Sequence, residues 1–149
     1  MWHYALWYPP APRAACGRTR IVHCNGLRTI LAYAFLRLIS PFAPIGETYK
    51  PHVEFFHTRL PTFSTEMQRK GQRIKTCLVY LNDDLEGGET EFPRLKIRFR
   101  GRTGEALTFD NVTSAGTGDM NTMHTGLPPT RGEKWLLSQW IRSKPQQVA

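Results

Sequence analysis

The sequence predicts a mainly β protein, an antiparallel sandwich or barrel for which a jelly roll is a common solution. From about Ser40 onward, short runs rich in aromatic and β-branched residues recur at close spacing. Turn-forming stretches separate them, and helical periodicity is nearly absent. The turns are NDDLEGG, RGRTG, SAGTGD and GLPPTRG.

Taken in chain order, the run TYKPHVEFF (48–56) reads as a strand carrying His52 and Glu54 two residues apart, hence on one face. STEMQRKGQR (64–73) is polar and reads as a mobile connecting loop. IKTCLVYLN (74–82) alternates, with Thr76, Leu78 and Tyr80 on one face. ETEFPRL (89–95) and KIRFR (96–100) read as two further strands. Within RLKIRFRGR (94–102), basic residues alternate with Leu95, Ile97 and Phe99, the pattern of an amphipathic strand with a solvated basic face. EALTFDN (105–111) follows, and EKWLLSQWIR (133–142) closes the series with Lys134, Ser138 and Trp140 on one parity.

Residues 1–40 are a poorly readable segment ahead of a 41–145 β domain. YPPAPRAA is too proline-rich for regular structure, and RTILAYAFLRLIS (28–40) fits a short buried helix or strand equally well. At 149 residues, one domain is the default. The net charge of +8 is unevenly placed: residues 1–46 hold five Arg and no acid, and residues 47–149 hold fifteen Lys or Arg against twelve Asp or Glu. The basic balance therefore argues only weakly for nucleic acid, which needs basic residues clustered in the folded part. No apolar run of 18 residues is present, and MWHYALWYPP lacks the layout of a secretory signal, so no membrane span or leader is expected. Cys16, Cys24 and Cys77 are odd in number and without metal-like spacing, which points to free thiols in a reducing, cytoplasmic compartment.

Two His and one carboxylate can occupy one face of an octahedral iron and leave three positions open. His52, Glu54 and His124 are the candidate set; His3, His23 and His57 read as incidental, His57 as a strand-end surface residue. Taken singly, each of the three is more often an ordinary polar residue than a ligand. Lys134, ten residues past His124 and beyond the GLPPTRG turn, changes that weighing. A hairpin would set the two on adjacent strands of one cavity. Metal at one end and an ammonium deeper in would suit a dicarboxylate.

YKPHVEFF, TCLVYLNDDLEGGETEFPRL, GEALTFDN and MHTGLPPTRGEKWLLSQWIR, in that order, resemble the prolyl 4-hydroxylase type of 2-oxoglutarate- and Fe(II)-dependent dioxygenases. The similarity runs from about Phe42 to Arg142. It implies that 41–145 is a double-stranded β-helix with few or short helices, holding Fe(II) through His52, Glu54 and His124. It further implies that Lys134 binds the distal carboxylate of 2-oxoglutarate, with Tyr80 and Ser138 in support and Trp140 on the cavity wall. The implied reaction hydroxylates a C–H bond, peptidyl proline being one candidate, and decarboxylates 2-oxoglutarate to succinate, with ascorbate a candidate reductant. A protein, peptide or small molecule would be the substrate; oligomeric state stays open. The family usually has Asp where Glu54 stands, Tyr where Phe42 stands and Ala where Thr125 stands. A second reading is a non-catalytic β-helix binding domain derived from such an enzyme, and a third is a basic nucleic-acid module built on 94–102.

Overall fold

The structure is a computed structural model that describes residues 20–23, 39–43, 46–58 and 61–145. YPPAPRAA, most of 28–40, Cys16, Cys24, His3 and the side chain of Phe42 lie outside the described residues. Eleven strands are described: β1 (Arg20–His23), β2 (Ile39–Ala43), β3 (Tyr49–His52), β4 (Arg73–Tyr80), β5 (Glu86–Gly87), β6 (Thr90–Phe92), β7 (Ile97–Phe99), β8 (Glu105–Asp110), β9 (His124–Gly126), β10 (Pro129–Arg131) and β11 (Lys134–Arg142). One helix, α1 (Ser64–Lys70), follows a 3₁₀ turn at Pro61–Phe63.

All pairings are antiparallel. A five-stranded sheet runs β1-β8-β4-β11-β2, a four-stranded sheet runs β3-β9-β6-β7, and β10 pairs with β5. Alternation along β4, β8 and β11 sends Leu78, Tyr80, Leu107, Phe109 and Leu136 toward the smaller sheet, where they pack with Phe92. Phe92 meets Phe109 edge-on, with ring centroids 5.2 Å apart. The opposite parity carries a second cluster, Val79, Ala106 and Leu137, with Cys77 and Leu81 against it. The result is a two-sheet sandwich of the jelly-roll kind. No helix among the described residues is long and apolar enough to cross a membrane.

Local details differ from the sequence expectations, each for a physical reason. The supposed loop at 64–73 contains α1, in which Glu66, Met67, Gln68, Arg69 and Lys70 are good helix formers. Glu66 pairs with Lys70 at i,i+4, and Gly71, with φ of 73°, ends the helix. With seven residues and no buried one, α1 leaves no apolar stripe to read. The strand expected over 48–56 stops at His52, and Glu54 lies in the bend beyond it. Between β6 and β7, Pro93 cannot donate to a ladder and the chain turns over Pro93–Lys96, with Lys96 at φ 56°. The apolar side of 94–102 is only partly buried: Leu95 and Phe99 pack against the core, whereas Ile97 is 42% exposed. Arg98 in that segment is committed to Glu91. Finally, β9 and β11 are not neighbours; the turn through β10 carries the chain from one sheet to the other.

Candidate metal centre

His52 and His124 are directly opposed in the β3–β9 ladder, which puts them on one face as cross-strand neighbours. Their ring centroids are 4.4 Å apart. Each ring is oriented by its own chain: His52 Nδ1 donates to the Lys50 carbonyl and His124 Nδ1 to the Thr122 carbonyl, both at 2.9 Å. With Nδ1 of each ring engaged by a carbonyl, Nε2 is the nitrogen left to face a metal. Thr125, where the resembled family usually has Ala, donates to the Tyr49 carbonyl at 2.6 Å and ties the two His-bearing strands together.

Glu54 enters from the bend after β3, and its Oε1 stands 3.4 Å from His52 Nε2. Its Oε2 accepts from Arg73 Nη1 at 2.8 Å. Burial by itself would push the Glu54 carboxyl up; the contact with His52 and the charge of Arg73 outweigh it, holding the group below the usual carboxylate range. For His124, burial and then the neighbouring His52 push the imidazole down to about 4, so it stands neutral at neutral pH. One ligand atom from each of His52, Glu54 and His124 lies within 4.8 Å of the others. Two imidazoles and a carboxylate on one side of a small space fit a 2-His-1-carboxylate metal face, so the donor chemistry suits Fe(II).

These residues open on a cavity of about 210 Å³ lined also by Tyr49, Leu78, Thr90, Leu136, Ser138 and Trp140. That is below the roughly 300 Å³ of drug-sized sites, and suits a small molecule beside a metal. Ser138 and Trp140 thus stand where strand parity put them. Lys134 and Tyr80 stand one layer deeper, behind Thr90. Lys134 Nζ donates to the Gly88 carbonyl at 2.6 Å and to Thr90 Oγ1 at 3.1 Å. Tyr80 OH shares a 2.8 Å hydrogen bond with the same Thr90 oxygen. Gly88 takes a φ of 72°, which a side chain would resist and which turns its carbonyl inward. Lys134 is only 2% exposed. Burial pushes its ammonium down to about 8, with Glu89 opposing.

Five of the seven sequence-predicted residues therefore stand on the wall of one cavity, and Lys134 and Tyr80 lie behind it, on Thr90. His57 is exposed, as expected. Sequence reading missed Thr90, which bridges Tyr80 and Lys134, and Arg73, which holds Glu54 from the far end of β4 with its guanidinium carbon 3.7 Å from the centre of the Trp140 ring. The only available signal for Thr90 was its place within GGET; none marked Arg73.

The family model described as 2OG-Fe(II) oxygenase superfamily matches residues 38–142. Prolyl 4-hydroxylase subunit alpha-1 of Bos taurus is 33% identical over 103 residues, 69% of this chain and 19% of the bovine one. Prolyl 4-hydroxylase 1 of Arabidopsis thaliana is 36% identical over 109 residues, 64% of this chain and 37% of the plant one. Among solved structures, the viral collagen prolyl hydroxylase from Paramecium Bursaria Chlorella virus-1, as its 2OG complex, aligns with a TM-score of 0.56 and 30% identity. That alignment covers 68% of this chain and 55% of the viral one. The chain thus spans well under half of the two curated relatives and about half of the viral enzyme, whose fold its sandwich shares.

Proposed function

Because the chain belongs to the 2OG-Fe(II) oxygenase superfamily, we propose that it is a 2-oxoglutarate- and Fe(II)-dependent dioxygenase that hydroxylates a C–H bond of a peptide substrate, with prolyl residues as the target. The observation that carries this reading is the layered arrangement: His52, Glu54 and His124 converge on the wall of one cavity, and the Lys134 ammonium lies buried directly behind Thr90, another residue of that wall. His52, Glu54 and His124 are the proposed metal ligands. When bound, iron and 2-oxoglutarate supply oxygen activation coupled to decarboxylation of the co-substrate to succinate.

The chain's own part is to bind, orient and keep dry. The two Nδ1–H···O=C bonds fix the imidazoles before a metal arrives, so little reorganisation accompanies binding. Lys134 Nζ, with Thr90 and Tyr80 hydroxyls beside it, is the proposed seat of the distal carboxylate. Ser138, between Lys134 and Trp140 on the same face of β11, supports the co-substrate along its length. Leu78 and Leu136 exclude water from the middle of the cavity, and Trp140 walls its outer side. A prolyl substrate is supported by the names of the relatives above and by an aromatic mouth that includes Tyr49, 47% exposed.

The test is a coupled measurement on purified protein with Fe(II), ascorbate and proline-rich peptides. Succinate should form in step with loss of 2-oxoglutarate, and hydroxyproline should appear in the peptide. Anaerobic titration in which the Fe(II)-loaded protein takes up no 2-oxoglutarate would overturn the reading, and would favour a binding domain without catalysis.

A further inference from the structure

We propose that Arg73 is the positioning residue of the metal-facing carboxylate, holding Glu54 to a single ligand oxygen. This rests on the reading of His52, Glu54 and His124 as metal ligands.

A glutamate has one more rotatable bond than an aspartate and must be held if only one of its oxygens is to face the metal. Arg73 Nη1 takes Glu54 Oε2 at 2.8 Å and leaves Oε1 on the side of His52 Nε2. The arginine is itself immobilised: its guanidinium carbon lies 3.7 Å from the Trp140 ring centroid and 4.7 Å from that of Phe56. The preceding residue fixes the bend that carries Glu54. Gln72 accepts from the Phe56 backbone N–H at 2.7 Å and donates to the Phe56 carbonyl at 2.8 Å, in the manner of one rung of a ladder. Its Oε1 also accepts from the Arg73 backbone N–H at 3.0 Å. Two adjacent residues at the start of β4 therefore tether both the backbone beyond Glu54 and its carboxylate.

The consequence concerns coordination number. Three single-atom protein ligands on an octahedral ion leave three positions, enough for a chelating keto acid and one further small ligand. A glutamate giving both oxygens would occupy a fourth and leave only two. With Oε2 engaged in a charge-assisted hydrogen bond, that second mode is disfavoured. Arg73 thus lets the longer carboxylate serve the single-oxygen role that the shorter Asp usually fills in the resembled enzymes.

The test uses Co(II) in place of iron, without turnover, on the full chain. Affinity is read by titration calorimetry and coordination number by the intensity of the Co(II) visible bands. Arg73→Met keeps a stem against Trp140 and removes the hydrogen bond; it should weaken Co(II) by about 10- to 100-fold and change the band intensity. Arg73→Lys, with a single-point cation, should recover part of the loss. Glu54→Asp withdraws the carboxylate by one carbon–carbon bond, so adding Arg73→Met to it should change affinity by less than about 2-fold, a double-mutant cycle with strong coupling. Co(II) affinity in Arg73→Met within about 2-fold of the unaltered chain, with the same bands, overturns the proposal, as do additive effects in the cycle. Should Arg73→Met fail to fold, Arg73→Lys decides alone: weakening beyond about 2-fold supports the proposal, and less overturns it. An unaltered chain that takes up no Co(II) overturns the metal reading itself, which separates that failure from a failure of Arg73.

Discussion

His52 and Glu54 sit where a four-residue strand gives way to a bend, whereas Lys134 and Tyr80 sit on β11 and β4, the two longest strands among the described residues. The ligand-bearing wall of the cavity and the ammonium behind Thr90 are accordingly held by different means. Behind Thr90, continuous pairing from Leu136↔Tyr80 to Trp140↔Thr76 places Tyr80 by alternation, whereas Lys134, the first residue of β11 and beside a register shift to Trp135, is held by Gly88 and Thr90; both groups are buried before any ligand arrives. At the metal face, the ladder between β3 and β9 is broken by an irregularity between Tyr49 and His52. Position there depends on side-chain bonds from Arg73, Gln72 and Thr125. On the proposed assignment, a carboxylate seat formed in the core and a separately braced metal face would let the co-substrate site stay constant while the metal face accepts Glu for Asp.

The largest expected effect comes from removing a ligand. His124→Ala should abolish Co(II) uptake and succinate formation together, because two remaining donors no longer define a face. Retained metal binding in that variant would break the proposed assignment of the metal face.

Lys134→Met tests the independence of the two sites. Loss of the buried ammonium should weaken 2-oxoglutarate by about 2–5 kcal/mol, or roughly 30- to 5,000-fold, seen as a rise in its Kd. Co(II) affinity measured without co-substrate should stay within about 3-fold, since additivity holds for separate sites. A parallel loss of Co(II) would show that the two sites are one unit.

The same ammonium sets a smaller, graded effect with pH. Burial lowers the free-state Lys134 pKa to about 8, and an arriving carboxylate raises it again. Affinity for 2-oxoglutarate should therefore be greatest below pH 8, with binding taking up a proton above it, and should fall about tenfold per unit as pH rises further. Isothermal titration in buffers of different ionisation enthalpy reads the proton directly; no uptake above pH 8 would contradict the assignment. The smallest effect belongs to Thr125→Ala, which removes one hydrogen bond across β3–β9. It should cost about 0.5–1.5 kcal/mol in denaturant unfolding and leave 2-oxoglutarate affinity unchanged.

The contrast between the two sites also explains what could be read from the sequence. Alternation along regular strands is a local rule, so the face that Ser138 and Trp140 present to the cavity was legible, and Lys134 and Tyr80, of the same parity on their strands, lie behind Thr90. His52, Glu54 and His124 were legible as a set only through the resemblance of several motifs in order. The strand expected to carry Glu54 ends at His52; the bend and Arg73, not alternation, bring its carboxylate round. Thr90 and Arg73 matter through contacts between sheets or across tens of residues, and no short-range pattern encodes such contacts. The change of sheet between β9 and β11 was hidden for the same reason: GLPPTRG looks like a hairpin turn, yet it passes through β10, which pairs with β5 instead. Helix α1 was missed because seven surface residues bury nothing that periodicity could report.

The direct opposition of His52 and His124 in the ladder has a consequence for the stability of the sheet. β3 is the terminal strand of its four-stranded sheet among the described residues, so on one side its backbone faces no strand of that sheet. Such a strand is prone to slip, fray or recruit another chain. A one-residue slip would turn His52 to the other face and dismantle the ligand pair. On the proposed assignment, an ion shared by the two imidazoles would act as a clasp on the register, stabilising the native pairing by mass action. Amide hydrogens of Tyr49–His52 should exchange more slowly once Co(II) is added, and chelation should leave this strand, rather than the central β4 and β11, as the first place from which the fold opens and aggregates.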